Sequence, residues 1–189
     1  MHLLHPKYAK TIAEFVNDVY LPYLSKQLQS SARLGIVWDR YDHNSLKSQE
    51  RLKRGTGRRR HVEPSGNLPS NWADFLRRDE NKEELFSFLA KASVILDTPD
   101  QVISTFREQV ICKYAKSIDR LAPCNHEEAD MQIFVHMIDG IADGNSKFLI
   151  RTVDTDVVVL AVEMSKKISI EELWILFWDR QKVPIPCNP

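Results

Sequence analysis

Cysteine and long apolar runs are both scarce in this sequence. Three cysteines in 189 residues, an odd number at wide spacing, argue against a disulfide framework and favour a reducing compartment. The longest apolar run, residues 157–162, is much shorter than the roughly 18 residues of a membrane-spanning helix. The opening residues lack the pattern of a signal peptide. We therefore expect an intracellular protein with no membrane partner.

The sequence also has no excess charge of either sign, with 26 Lys and Arg against 26 Asp and Glu. Net charge therefore predicts no class of partner. With 43% apolar residues, the chain can bury the core of one domain of ordinary size. The distribution of charge along the chain carries more information than its sum.

Residues 40–61 form a strongly basic segment, with eight Lys or Arg against two acidic residues and a net charge of +6 (8 − 2). Its cations are Arg40, Lys47, Arg51, Lys53, Arg54, Arg58, Arg59 and Arg60. Such a tract can neutralise nucleic-acid phosphates, which favours a nucleic-acid partner. It can equally be a solvated loop without a specific partner, or a nuclear-import signal.

The spacing of apolar residues predicts alternating helices and strands. Helices are predicted over residues 9–28, 71–76, 81–92, 126–138 and 157–164. Strands are predicted over residues 34–38, 101–105, 109–114, 148–150 and 173–177. Pro22 is expected to kink or split the first helix. Strands that alternate with helices are typical of a mostly parallel sheet covered on both faces, so the predicted fold class is α/β.

Acidic residues recur where these predicted elements meet. Asp39 ends one apolar strand, and Asp154 and Asp156 follow another. Glu128 and Asp130 lie at a helix start. Because sites in open parallel sheets form at the carboxyl ends of strands, we expect the five carboxylates to converge. Convergence requires a neutralising cation, and oxygen ligands favour Mg²⁺ or Mn²⁺. The alternative for each residue is an ordinary helix cap or turn, where Asp is strongly preferred.

Three blocks of the sequence resemble the PIN-like nuclease superfamily, and within it the flap-endonuclease-like branch. In the first block the strand-end Asp39 is followed by Lys47 and Arg54, which are seven residues apart. This is similar to a family block whose cations lie in a helical arch and contact the scissile phosphate. The resemblance implies that Lys47 and Arg54 are catalytic, and that residues 40–70 form a basic, arch-like insertion. The other cations of this insertion would contact nucleic acid: Arg51, Lys53, Arg58, Arg59 and Arg60.

The second and third blocks carry the acidic motifs. Residues 123–130 are similar to the family's acidic-Ala-acidic motif, and residues 150–156 to its Asp-x-Asp motif. The resemblance implies that Glu128, Asp130, Asp154 and Asp156 bind metal together with Asp39. It further implies a Mg²⁺- or Mn²⁺-dependent nuclease that hydrolyses DNA phosphodiesters at flaps or similar structures. The group it resembles most occurs in animal genomes, often with mobile-element character.

The sequence departs from the family pattern at both ends. A first-strand Asp upstream of the helix near Tyr8, and a Gly-Cys-Asp ligand beyond residues 173–177, have no counterpart between Met1 and Pro189. The expected architecture is one three-layer α/β/α domain over residues 1–189 that lacks its first strand. We expect impaired nuclease activity, because each missing carboxylate weakens Mg²⁺ binding.

Two other functions remain open at this point. One is a non-catalytic remnant that binds nucleic acid or a protein partner. The other is a protein-interaction domain whose Arg-rich segment binds acidic partners.

Overall fold

Helices and strands alternate along the chain in the computed structural model, which describes residues 4–6, 8–39, 57–114, 118–124, 129–177 and 181–187. The helices are α1 (Ile12–Phe15), α2 (Leu21–Leu28), α3 (Trp72–Phe75), α4 (Asp79–Val94), α5 (Ala129–Ala142) and α6 (Thr155–Ser165). The strands are β1 (Arg33–Ile36), β2 (Gln101–Phe106), β3 (Gln109–Cys112), β4 (Lys147–Thr152), β5 (Glu172–Phe177) and β6 (Gln181–Ile185). These elements fall into two units, Met1–Glu128 and Ala129–Pro189.

The first helix contains an irregular turn just before Pro22. A π-helical turn, Val16–Tyr20, joins α1 to α2, and the amide of Leu21 donates to the carbonyl of Val16. Pro22 lies in the first turn of α2 and has no N–H to donate to the preceding turn. The helix therefore widens by one residue just before the proline and then resumes. The helix is therefore not split at Pro22, and its departure from α-helical form lies in the turn before the proline.

The sheet of the first unit has the strand order β1-β2-β3. Strand β1 pairs with β2 in parallel, and β2 pairs with β3 antiparallel. A two-residue connection, Arg107 and Glu108, joins β2 to β3, and Arg107 takes the left-handed φ of 56° that tight hairpins require. Helices α3 and α4 lie between β1 and β2 in the sequence. The two parallel strands are therefore joined by a crossover connection that contains these helices.

The core of the first unit lies between this sheet and the helices. The cluster consists of side chains at most 8% exposed: Phe15, Val16, Tyr20, Leu24, Leu28, Trp72, Phe75, Leu76, Leu85, Phe86, Leu89, Ala92, Leu96 and Val102. The buried positions Leu85 and Leu89 of α4 are four residues apart, the spacing of one helix face. Phe75, Leu76 and Phe86 are buried as well.

The second unit repeats the same order of pairing. Strand β4 pairs with β5 in parallel, and β5 pairs with β6 antiparallel. Helix α6 makes the crossover between β4 and β5, which confirms the prediction of a helix rather than a strand over residues 157–164. A separate cluster forms the core of this unit: Phe134, Met137, Ile150, Val157, Ala161, Ile170, Leu173, Ile175 and Ile185.

The α/β fold class is confirmed in its general form. The described strands make two three-stranded sheets, each with one parallel and one antiparallel pairing, and a single mostly parallel central sheet stays a prediction. The antiparallel strands follow from chain length, because the two- and three-residue connections before β3 and β6 are too short for a crossover. No helix in the described part of the chain is both long and apolar enough to cross a membrane.

A buried hydroxyl pair ties the first helix to α4. The hydroxyls of Tyr20 and Ser93 are 2.7 Å apart, and both residues are at most 2% exposed. Ser93 donates its own hydrogen to the carbonyl of Leu89, so the phenol of Tyr20 is the donor to Ser93. Burial raises the pKa of Tyr20 well above its ordinary value, which keeps this donor protonated.

Loss of the Ser93 hydroxyl should therefore destabilise the fold more than loss of the Tyr20 hydroxyl. Ser93→Ala leaves a buried phenol without its acceptor, at a cost of about 1–3 kcal/mol in the free energy of unfolding. Tyr20→Phe leaves Ser93 bonded to Leu89 and costs about 1 kcal/mol. Urea denaturation of both variants and of the double variant measures the difference. Equal costs for the single variants, or full additivity in the double variant, would contradict this arrangement.

Candidate functional site

Five of the residues predicted for the site lie outside the described part of the chain. They are Lys47, Arg51, Lys53, Arg54 and Glu128. The two predicted catalytic cations are among them. The carboxylates at positions 39, 130, 154 and 156 and the arginines at 58, 59 and 60 are described, and each is taken in its own unit.

Asp39 is exposed and follows a tryptophan that is held in place by β2. The amide of Trp38 donates to Thr105 Oγ1 (2.9 Å), and its indole N–H donates to Ser104 Oγ (3.0 Å). Ser104 and Thr105 are at most 1% exposed, so both acceptors are fixed within the core. The indole also stacks on Phe86 at a centroid distance of 4.7 Å. The backbone that carries Asp39 is thus anchored one residue before the carboxylate.

Asp154 and Asp156 lie where β4 passes into α6. The amide of Asp154 donates to Thr152 Oγ1 (3.0 Å), and Asp154 Oδ1 accepts from the amide of Asp156 (2.9 Å). Asp154 is therefore the N-cap of α6, a role that Asp performs well, and Asp156 lies in the first helical turn. Both residues are exposed. The capping alternative holds for Asp154, and one of its two carboxylate oxygens is engaged in it.

Asp130 is the second residue of α5 and is half-buried. Its carboxylate lies in the first turn, where the partial positive charge of the helix N-terminus favours an anion. Among these carboxylates, Asp39 follows β1, the first strand of its sheet, and Asp154 follows β4, the first strand of the other. The placement beyond strand ends is as predicted for both.

The chemistry of these side chains suits a hard divalent cation, since carboxylate oxygens are the ligands that Mg²⁺ and Mn²⁺ prefer. The described residues nevertheless contain no group of three or more His, Cys, Asp or Glu side chains that could hold a metal ion. Convergence of the five carboxylates therefore stays a prediction. Within the second unit, Asp154 and Asp156 are the two acidic side chains that the turn after β4 brings near each other.

The end of the basic segment is anchored to α4 by one buried amide side chain. Asn81 is fully buried. Its Nδ2 donates to the carbonyls of Arg58 (2.9 Å) and Phe75 (3.0 Å). Its Oδ1 accepts from the amide of Arg60 (2.9 Å) and from the guanidinium of Arg59 (3.2 Å). All four hydrogen-bonding positions of the amide are used, so the backbone at residues 58–60 is held firmly against the helix.

Glu84, one turn further along α4, provides a second anchor. It accepts from the amide of Val62 (2.9 Å) and forms an ion pair with the guanidinium of Arg59. Partial burial alone would raise the pKa of Glu84. The hydrogen bonds from Arg59 and Val62 and the neighbouring positive charge have the larger combined effect, so the pKa of Glu84 lies below its ordinary value of 4.5. Arg59 is therefore engaged on the protein surface rather than extended into solvent.

Gly57 begins the anchored stretch and lies against α3. A Cβ at this position would meet the backbone oxygen of Asp74 at 2.0 Å, so only glycine fits without a shift. The carbonyl of Gly57 accepts from the guanidinium of Arg78 (3.4 Å), and Arg78 is paired with Glu80. Glycine is thus required at position 57 by the close approach of the two backbones.

The anchoring residues Asn81, Glu84, Ser104 and Thr105 are absent from the site predicted by sequence. One signal was present for Asn81, which precedes Leu85 and Leu89 by four and eight residues. This spacing places it on the buried face of α4. A polar residue on such a face requires partners, and here the partners are the backbone of the basic segment. Ser104 and Thr105 give no comparable signal, because short polar residues are ordinary in a strand.

The Glu84 anchor predicts a pH-dependent contribution to stability. Because the pKa of Glu84 is lowered in the folded state, its ion pair stabilises the fold above the ordinary carboxyl value. That contribution is lost as the pH falls through the lowered folded value. Glu84→Gln should cost about 1 kcal/mol at pH 7, and this difference from the unchanged protein should shrink at pH 3.5. Urea denaturation at both pH values measures it, with Glu83→Gln as the control for loss of one carboxylate from α4. A difference that stays constant or grows on acidification would contradict the anchor.

Comparison with known proteins finds no matching family model, no similar curated protein and no similar solved structure. The resemblance to PIN-like nucleases therefore stays a prediction from the residues themselves.

Proposed function

We propose that this chain is a nuclease-like domain that acts on DNA phosphodiesters with Mg²⁺ or Mn²⁺, of the flap- or structure-specific type. The observation that carries the proposal is the placement of Asp39 and of Asp154 with Asp156. Each follows the carboxyl end of a strand that is paired in parallel within its own sheet. Such strand ends are where α/β folds place their sites. The finer architecture that goes with this function is a three-layer, PIN-like α/β/α sandwich.

In this proposal the metal ligands are Asp39, Glu128, Asp130, Asp154 and Asp156. When bound, a divalent ion would supply Lewis-acid stabilisation of the phosphoryl oxygens and lower the pKa of an attacking water. Lys47 and Arg54 would steady the scissile phosphate, and both lie outside the described residues.

The chain's own contribution is to fix the carboxylates before any ligand arrives. Trp38 is bonded to β2 at two atoms, which limits the movement of the adjacent Asp39. Asp154 is fixed by its bond to the amide of Asp156. Preorganised anions of this kind reduce the entropic cost of collecting ligands around a cation.

A second candidate function is nucleic-acid binding without cleavage. The observation that favours it is the capping role of Asp154, because an N-cap needs no metal to explain its carboxylate. The two candidates share the basic segment and differ in whether the carboxylates act on the bound phosphate.

The test is cleavage of a flap DNA substrate with Mn²⁺ and then Mg²⁺ by the full chain, compared with Asp154→Asn/Asp156→Asn. Asn caps helices as well as Asp does, so the double variant should keep the N-cap of α6 while losing two anionic ligands. We expect cleavage by the unchanged chain and a loss of about 100-fold or more in the variant, since the metal's stabilisation amounts to several kcal/mol.

Asp97→Asn, at an exposed carboxylate in the loop after α4, is the matched control and should cleave at the unchanged rate. Cleavage that survives in the double variant would remove the carboxylates from the reaction. Absence of cleavage in the unchanged chain, with DNA binding retained, would favour the non-catalytic candidate.

A further inference from the structure

Three consecutive arginines close the basic segment, and the structure gives them different surroundings. The guanidinium of Arg59 is bonded to Glu84, to the side chain of Asn81 and to the carbonyl of Arg60. Its side chain is 30% exposed. By contrast, Arg58 and Arg60 are bonded to Asn81 through their backbone atoms. Their guanidinium groups form no ion pair within the described part of the chain.

We propose that Arg59 is a positioning residue, and that Arg58 and Arg60, together with Arg77, form a basic surface that contacts nucleic-acid phosphates. The inference rests on the proposed action on DNA and assigns separate roles within the arginines predicted for it. In the sequence all three consecutive arginines count equally as phosphate contacts. In the structure the guanidinium of Arg59 forms an ion pair with Glu84 and is not free to contact a phosphate.

The hydrogen bonds of the segment explain this division. Arg59 is held against α4 by Glu84 and Asn81, whereas Arg58 is exposed and Arg60 is half-buried. The buried amide of Asn81 holds the backbone of both neighbours. The anchor therefore fixes the backbone that carries Arg58 and Arg60 without contacting a ligand itself.

Arg77 joins this surface through α3. The amide of Arg58 lies 3.5 Å from Asp74 Oδ2 of α3, and Arg77 is exposed in the turn that follows this helix. The anions at the start of α4 are paired, Glu80 with Arg78 and Asp79 with Lys82. Asp74 adds one carboxylate beside the three arginines, so Arg58, Arg60 and Arg77 still leave this surface with a net positive charge.

The phosphate backbone of nucleic acid is the partner of matching chemistry. Guanidinium groups bind phosphate oxygens with paired hydrogen bonds, and several of them along one surface fit a repeating chain of phosphates. Each phosphate neutralised on duplex DNA releases condensed counterions and contributes about 0.9 to the slope of log Kobs against log salt concentration. This slope counts phosphate contacts and does not respond to a loss of fold stability alone.

The experiment measures binding of labelled duplex DNA by fluorescence anisotropy over a series of KCl concentrations, in EDTA so that no cleavage occurs. Arg58→Gln and Arg60→Gln should each reduce the salt slope by about 0.9. Arg59→Gln should leave the slope unchanged, because no phosphate contact is lost, but should weaken binding at every salt concentration, because Arg58 and Arg60 are no longer held in place. It should also lower the melting temperature. Lys26→Gln removes an exposed cation from α2 and is the matched charge control, expected to change neither quantity.

Because Arg59→Gln can fail to fold, Glu84→Gln provides a second test of the anchor. It keeps the charge of Arg59 and should lower the melting temperature without reducing the slope. Faster hydrogen exchange at the amides of Arg60 and Val62 in this variant would report release of the segment.

Three results would overturn the inference. The first is a slope reduced as much by Arg59→Gln as by Arg58→Gln. The second is a slope left unchanged by Arg58→Gln and Arg60→Gln. The third is no DNA binding at low salt. All three are read without metal, so they are distinct from failure of the cleavage test, which leaves these slopes untouched.

Discussion

The buried amide of Asn81 is the interaction on which the described end of the basic segment depends. An amide side chain taken out of water costs free energy unless each of its donors and acceptors finds a partner. Here all four are satisfied, and three of the partners belong to residues 58–60. Helix α4 can bury Asn81 only when the segment lies against it. The packing of α4 and the path of residues 58–60 therefore depend on each other.

The same principle operates at Asp39. Ser104 and Thr105 are polar residues buried in β2, and their hydroxyls are satisfied by accepting from Trp38. In both places a polar group inside the core fixes a surface segment that carries candidate functional residues. A half-satisfied network would be worse than an apolar core, so these segments have one favoured position rather than many. For the candidate residues of the first unit, order thus arises from polar groups buried in its core.

Much of the secondary structure could be predicted because apolar periodicity is strong in these elements. Strand β5 follows from its run of Leu and Ile. The Val-rich run of α6 fits a strand or a buried helix, and a helix is preferred because the strand expected over residues 173–177 follows soon after. Strand β6 is not predicted by the sequence, because Pro184 argues against a strand. Its pairing with β5 is visible only in the structure. For the site, the sequence located Asp39 and Asp154 at strand ends but gave the three arginines equal roles. Arg59 forms its ion pair with Glu84, which is 25 residues away in the sequence. No local sequence pattern indicates that these two residues are in contact.

Pro184 has a further consequence for β6. The strand pairs with β5 on one side, with Pro184 opposite Trp174, and no described strand pairs with its other side. Proline is tolerated in a sheet when its missing N–H faces away from the ladder. Pro184, the fourth of the five residues of β6, has no N–H, so the strand has one hydrogen-bond donor fewer than its length would provide. Proline in an edge strand is one of the features that limit pairing with a strand from another molecule.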